Sequence, residues 1–165
     1  MDVPPKNTLV PTNFDILAAD DSKSAQPILI KQWSDNTNLW YKKDDKFSRP
    51  KTILTMNLYT NDCLFGYDPR AKVFTHVWKL VQQECLREFN YMAQLTELDF
   101  DTKLDYDHIE FKWSGFNHCM PNYVKETMER LIQLKDNAEL EKVFDQIKEK
   151  LLLDWKNFYL EQSYR

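Results

Sequence analysis

The 165-residue sequence predicts an α+β domain: a two-layer sandwich with helices on one face of a largely antiparallel sheet. Three observations predict it. Residues 98–113 alternate apolar and charged side chains in two short runs, as a hairpin with one wet face does. Residues 69–92 carry Val73, Val77, Val81, Cys85, Phe89 and Met92 at helical spacing, a wide apolar stripe. The only glycines are Gly66 and Gly115, too few for a many-turned β-sandwich or a glycine-rich phosphate loop.

Residues 1–38 read as linker. Pro4, Pro5, Pro11 and Pro27 lock φ and remove ladder donors, so long regular elements are not expected there. Short extended pieces are allowed at residues 13–17 and 28–32. A connection this long favours a tether between domains over a loop inside one. The domain proper is placed at residues 39–165. Leu39-Trp40-Tyr41 opens it, a charged turn through Lys42, Lys43 and Lys46 follows, and residues 52–60 form a strand. In that strand Leu54, Met56 and Leu58 share one face, against Ile53, Thr55, Asn57 and Tyr59.

Asn61–Tyr67 reads as a loop, after which Asp68 and Pro69 supply an N-cap and a first-turn proline for the long helix. In the hairpin, Leu98, Phe100, Leu104 and Tyr106 oppose Asp99, Asp101, Lys103 and Asp105. Ile109, Phe111 and Trp113 then alternate with Glu110 and Lys112. A one-residue slip would bury several carboxylates, which fixes the register. Gly115-Phe116-Asn117 ends the hairpin and Pro121 starts a helix bearing Val124, Met128, Leu131 and Ile132. Asn137 is an N-cap for a last helix bearing Leu140, Val143, Phe144, Ile147, Leu151, Trp155 and Phe158. Three strands make a thin sheet for helices this apolar, so further strands are expected outside this chain.

Composition excludes several classes. The net charge is −4 and Lys42-Lys43 is the longest basic run, which does not suit nucleic acid. No apolar run approaches membrane length, and the first residues lack a signal core, so a soluble, cytoplasmic chain or piece is expected. Cys63, Cys85 and Cys119 are odd in number and without CxxC spacing, which favours reduced thiols. Cys85, on an apolar helix face, is read as packing.

Candidate chemistry is sparse. His76 on the long helix has neither a Glu nor a second His at zinc-motif spacing. His118 and Cys119 are adjacent, so their side chains are expected to diverge. His108 lies at the other end of the same strand, about 30 Å away at 3.3 Å per residue. The carboxylates Asp99, Asp101, Asp105, Asp107 and Glu110 fall on the wet face, where they are solvated charges rather than an acid–base pair. Trp40 and Tyr41 are read first as core packing. Their alternative role is contact with another domain or with a peptide. Lys42, Lys43 and Lys46 beside them are candidates for an anion contact, weakened by Asp44 and Asp45. No catalytic and no metal-ligating residue is assigned.

The ordered motifs of the chain resemble the insulysin-like zinc peptidases of the pitrilysin family, nardilysin-type members included. They begin with Asn7-Thr8-Leu9-Val10-Pro11-Thr12-Asn13-Phe14-Asp15-Ile16-Leu17 and Leu39-Trp40-Tyr41-Lys42-Lys43-Asp44-Asp45-Lys46-Phe47 with Pro50-Lys51. Tyr91-Met92-Ala93-Gln94-Leu95 with Leu98, Gly115-Phe116-Asn117 with Pro121, Phe144-Asp145-Gln146-Ile147-Lys148-Glu149 and Asn157-Phe158 follow in the same order. Glu97 stands where the family motif has Gly, and the 61–67 loop departs from the family pattern.

The resemblance implies a peptidase of two half-shells, two domains each, closing around a peptide. It makes residues from about Pro11 to Asn38 the inter-half linker, and residues 39–165 most of the third, non-catalytic domain, short of its last strands and helix. It implies no cofactor in this chain and zinc in the first domain of the parent. The partners it implies are the other domains of the same chain and peptide substrates. The exposed sheet edge offers a homodimer, and nucleic acid and membrane are not expected partners. A different reading, a stand-alone peptide- or protein-interaction module, accounts for the same surplus of apolar surface.

Overall fold

A computed structural model describes residues 6–16, 26–44, 46–60, 68–105 and 107–158, the side chain of Trp33 excepted. The expectations at Leu17, Asp45, Cys63, Gly66, Tyr106, the 61–67 loop and the last seven residues lie outside the described residues.

The structure is the two-layer α+β sandwich that the alternation predicts. Its sheet is built from β3 (Lys51–Tyr59), β4 (Asp99–Leu104) and β5 (His108–Phe116). Their spatial order is β3-β5-β4, with both pairings antiparallel. The middle strand is thus the last in sequence. Only β5 is paired on both sides, and it carries the most buried aromatics. Trp113 is fully buried, with Phe100 at 5.1 Å and Phe111 at 6.2 Å between ring centroids. Leu86, Ala93, Leu98, Met120 and Tyr123 complete this core.

The wet face follows the predicted register. Asp101 pairs with Lys112 and Lys103 with Glu110 across β4 and β5. Opposite charges placed directly across strands favour this pairing over its slips.

The helix layer begins at α1 (Pro69–Cys85). Asp68 caps it, its carboxylate accepting from the backbone N–H of Arg70 at 2.9 Å, with proline at the first turn as predicted. The single helix expected over 69–92 is in fact two. At Leu86 the backbone leaves helical geometry (φ −93°, ψ 0°), and α2 (Arg87–Gln94) continues. Leu86 itself is buried, so the break turns an apolar side chain into the core. α3 (Met120–Gln133) packs on β5, whereas α1 and α2 lie against β4. A 3-10 turn (Leu134–Asp136) leads to α4 (Leu140–Phe158), which rests on α1. Asn137 opens that last helix with its side-chain oxygen accepting from Glu139 N at 2.9 Å.

One polar bridge crosses the core. Gln82 of α1 donates from Nε2 to Thr102 Oγ1 of β4 at 2.6 Å, and both residues are buried. Its Oε1, like Asn90 Oδ1, Trp113 Nε1 and Tyr123 Oη, has no partner among the described residues.

The segment expected to be irregular contains a second sheet. β1 (Ile28–Ser34) and β2 (Thr37–Tyr41) form an antiparallel hairpin with two irregularities in register. Its second strand runs across residue 38, and Leu39 to Tyr41 end a strand instead of opening one. The extended piece allowed at residues 28–32 is β1, but its pairing with residues 37–41 was not expected.

Candidate functional site

Two regions stand out, an open apolar flank and a junction at one end of the sheet. The flank follows from the way the helices are laid down. No residue of α4 is buried. Val143, Ile147 and Leu151 are half-buried, whereas Phe144, Leu153, Trp155 and Phe158 are exposed. Between α1 and the start of α4 lies a groove of about 700 Å³ lined by Phe74, Trp78, Leu131, Ile132, Leu140 and Phe144. β3 is similarly bare. Leu54 and Met56 are only half-buried under the helices, and Ile53, Leu58 and Tyr59 are exposed.

The junction joins four parts of the chain. α2 ends in paired bonds, Glu97 N to Gln94 O at 3.0 Å and Leu98 N to Ala93 O at 3.0 Å. This is a Schellman turn, which calls for a left-handed residue at Glu97. Glu97 has φ +58°, so the turn keeps the geometry that glycine ordinarily provides. Its carboxylate takes a second role, accepting from Lys51 Nζ at 2.6 Å. Lys51 Nζ also lies 5.0 Å from the centre of the Phe116 ring, a cation–π contact. Gly115 packs directly on this turn at φ +145°. Asn117 N donates to Pro50 O at 3.0 Å, and Thr52 Oγ1 donates to Asn117 Oδ1.

Trp40 and Tyr41 are not in the core. They are 60% and 42% exposed on β2, opposite Leu29 and Ile28. The packing reading fails because the hairpin pairs with itself and not with the main sheet. Lys42 and Lys46 are exposed and Lys43 is half-buried. The Asp44 carboxylate closes the turn, accepting from the backbone N–H of Lys46 at 2.9 Å and of Phe47 at 3.2 Å.

His76 lies exposed on α1. Among the described residues, no three of His, Cys, Asp and Glu come together as a metal site. His118 and Cys119 do not diverge: Cys119 Sγ is 3.8 Å from His118 Nδ1. The turn before α3 folds the imidazole back over the buried thiol, and burial pushes the Cys119 pKa up. Cys85 and Cys119 are both free thiols. At the other end of β5, His108 Nδ1 donates to Asp107 Oδ1 at 2.7 Å beside the Tyr59 ring. That hydrogen bond holds the Asp107 carboxyl below the ordinary range. No helix among the described residues is long and apolar enough to cross a membrane.

These features define a two-layer α+β domain with an open apolar flank and a tightly bonded end. The family described as the middle or third domain of the M16 peptidases matches residues 1–165. The chain therefore belongs to the M16 peptidase family, as a middle or third domain of the insulysin and pitrilysin type. It is 30% identical over 164 residues to insulin-degrading enzyme of Homo sapiens, covering 99% of this chain and 15% of that protein. It is 27% identical over 162 residues to insulin-degrading enzyme-like 1, peroxisomal, of Arabidopsis thaliana, covering 98% of this chain and 16% of that protein. The crystal structure of pitrilysin superposes with a TM-score of 0.79 at 18% identity, over 95% of this chain and 16% of that one. The chain thus spans about a sixth of the proteins it matches.

Proposed function

We propose that this chain is a non-catalytic domain of an insulysin-like zinc metalloendopeptidase, forming chamber wall and inter-domain contacts that enclose peptide substrates. The observation that carries this reading is the match of all 165 residues to a middle or third domain of that family. The lone His76 on α1 and the open apolar flank support it. An open apolar flank of this kind suits burial by other domains of the same polypeptide. Zinc carried by another domain would supply the activated water for peptide hydrolysis.

Within this reading the stretch expected as linker, residues 1–38, joins two halves while its ends are bound to the 39–165 domain, by Asn7 and Leu9 at one end and by β2 at the other. Trp40 and Tyr41 contact a neighbouring domain or the peptide, Lys42, Lys43 and Lys46 offer an anion contact, and the bare β3 edge allows a homodimer. The setting is cytoplasmic. The test is direct: the purified chain should hold no stoichiometric zinc and cleave no peptide. Bound zinc together with peptidase activity lost in His76→Ala would overturn the reading.

The exposed groove between α1 and α4 favours a second reading, an independent module that binds a peptide or protein without chemistry. Light scattering over a range of concentrations separates the two. A concentration-independent monomer supports the module, and self-association supports a domain with unsatisfied surfaces.

A further inference from the structure

The segment near the start of the chain meets the domain at Asn7, Leu9, Thr12 and Phe14. Asn7 Nδ2 donates to Met92 O at 2.8 Å, while Asn7 Oδ1 accepts from Leu9 N at 2.9 Å. Met92 lies in the last turn of α2, where carbonyls have no partner within the helix. The amide of Asn7 therefore supplies a missing C-terminal bond and bends its own backbone in the same act. Leu9 is only 2% exposed and belongs to the core around Trp113 and Tyr123. Thr12 N donates to His118 Nδ1 at 3.4 Å, beyond β5. Phe14 meets Phe116 edge-on, with ring centroids 5.2 Å apart. Phe116 is the same ring that faces Lys51, and through it the Glu97 turn.

We propose that Asn7–Phe14 is a clasp of this domain and not part of a free tether. It seals the end of α2 and the turn after β5. The clasp does not depend on the reading of this segment as joining two parts of a peptidase. An extended segment with only surface contacts would exchange its amides freely, whereas one anchored by a core leucine does not.

Hydrogen–deuterium exchange on the whole 165-residue chain tests the clasp. The Leu9 and Thr12 amides should exchange at least about 100-fold slower than in an unfolded peptide. Asn7→Asp keeps the acceptor for Leu9 N but loses the donor to Met92 O. It should raise exchange across residues 8–14 and at Thr96–Leu98 by about tenfold, leaving β3 and β5 unchanged. Leu9→Ala should do the same more strongly, and Asn7→Asp remains readable if Leu9→Ala unfolds. Unprotected amides at Leu9 and Thr12 in the parent chain would overturn the clasp. So would an Asn7→Asp variant whose exchange at residues 8–14 matches the parent. Protection here alongside zinc-dependent peptidase activity in this chain would instead refute the non-catalytic reading and leave the clasp standing.

Discussion

Gly115→Ala is the substitution with the sharpest expected cost. A Cβ built at Gly115 would sit 2.4 Å from Leu98 Cδ2, 2.8 Å from Glu97 O and 3.0 Å from Leu98 Cα. Two of these neighbours are backbone atoms of the Schellman turn, and the Leu98 side chain is fully buried, so neither side has room to retreat. Relieving the overlap means shifting a packed turn, which costs about 1–3 kcal/mol. The φ of +145° adds roughly 1–3 kcal/mol of strain for any residue with a Cβ. The sum, about 2–6 kcal/mol, is a large part of the roughly 5–15 kcal/mol that holds a domain together. Each kcal/mol lowers the Tm of a chain this size by about 2–4 °C. A melt followed by far-UV circular dichroism should therefore fall by about 4–24 °C. Ser114→Ala, one residue away on the open face, should move it by less than about 2 °C. A Gly115→Ala protein that melts with the parent would mean that β5 and the Glu97 turn are not in contact as described.

Three further outcomes test other parts of the fold. At Glu97, Gly and Ala both remove the bridge to Lys51, but only Gly is at ease at φ +58°. Glu97→Gly should thus be more stable than Glu97→Ala by about 1 kcal/mol in urea titrations. A right-handed Glu97 would give the opposite order. Tyr123 is fully buried and its hydroxyl has no partner among the described residues, and burial drives its pKa up. Tyr123→Phe keeps the ring against Phe89 and should be neutral or up to about 1 kcal/mol more stable; a loss above about 2 kcal/mol would show that the hydroxyl is bonded. Asp107 has a folded pKa below its unfolded one, because His108 bonds its charged form. Its contribution is present above the unfolded carboxylate pKa and is lost as pH falls through the folded pKa. Asp107→Asn should therefore flatten the acid limb of a Tm–pH profile below about pH 4. An unchanged limb would refute the bond.

The local rules of the chain were readable wherever a residue's role depends on its near neighbours. Asp68 and Pro69 cap a helix from within two residues, and Asp99, Asp101 and Lys103 declare a wet face by period alone. What was not readable depends on residues far apart. Nothing in Leu54 or Met56 says that their strand pairs with Trp113 and Phe111 before those residues have met their own hairpin partner. The break at Leu86 leaves no glycine or proline to announce it. The residue at the break is a leucine buried in the core. Asn7 and Leu9 lie among prolines, and their anchoring is decided by a carbonyl 85 residues away. At the junction, the unusual Glu97 was visible as a departure. Its left-handed φ, its ion pair and the glycine packed against it emerge only when the four segments are brought together.

The bridge between Gln82 and Thr102 has a consequence for how α1 finds its seat. A core of Trp, Phe and Leu rings is a set of interchangeable plugs, and several offsets of a helix over a strand would fill space about equally well. An amide and a hydroxyl buried face to face act as a keyed socket. Any other offset strands both in an apolar interior, at about 1–3 kcal/mol for each. The pair therefore acts as an address rather than as glue. Replacing both partners, as in Gln82→Leu with Thr102→Val, should leave the melting point near its parent value while broadening the core methyl signals in NMR spectra. Sharp, singly populated signals in that double variant would show that shape alone already sets the address.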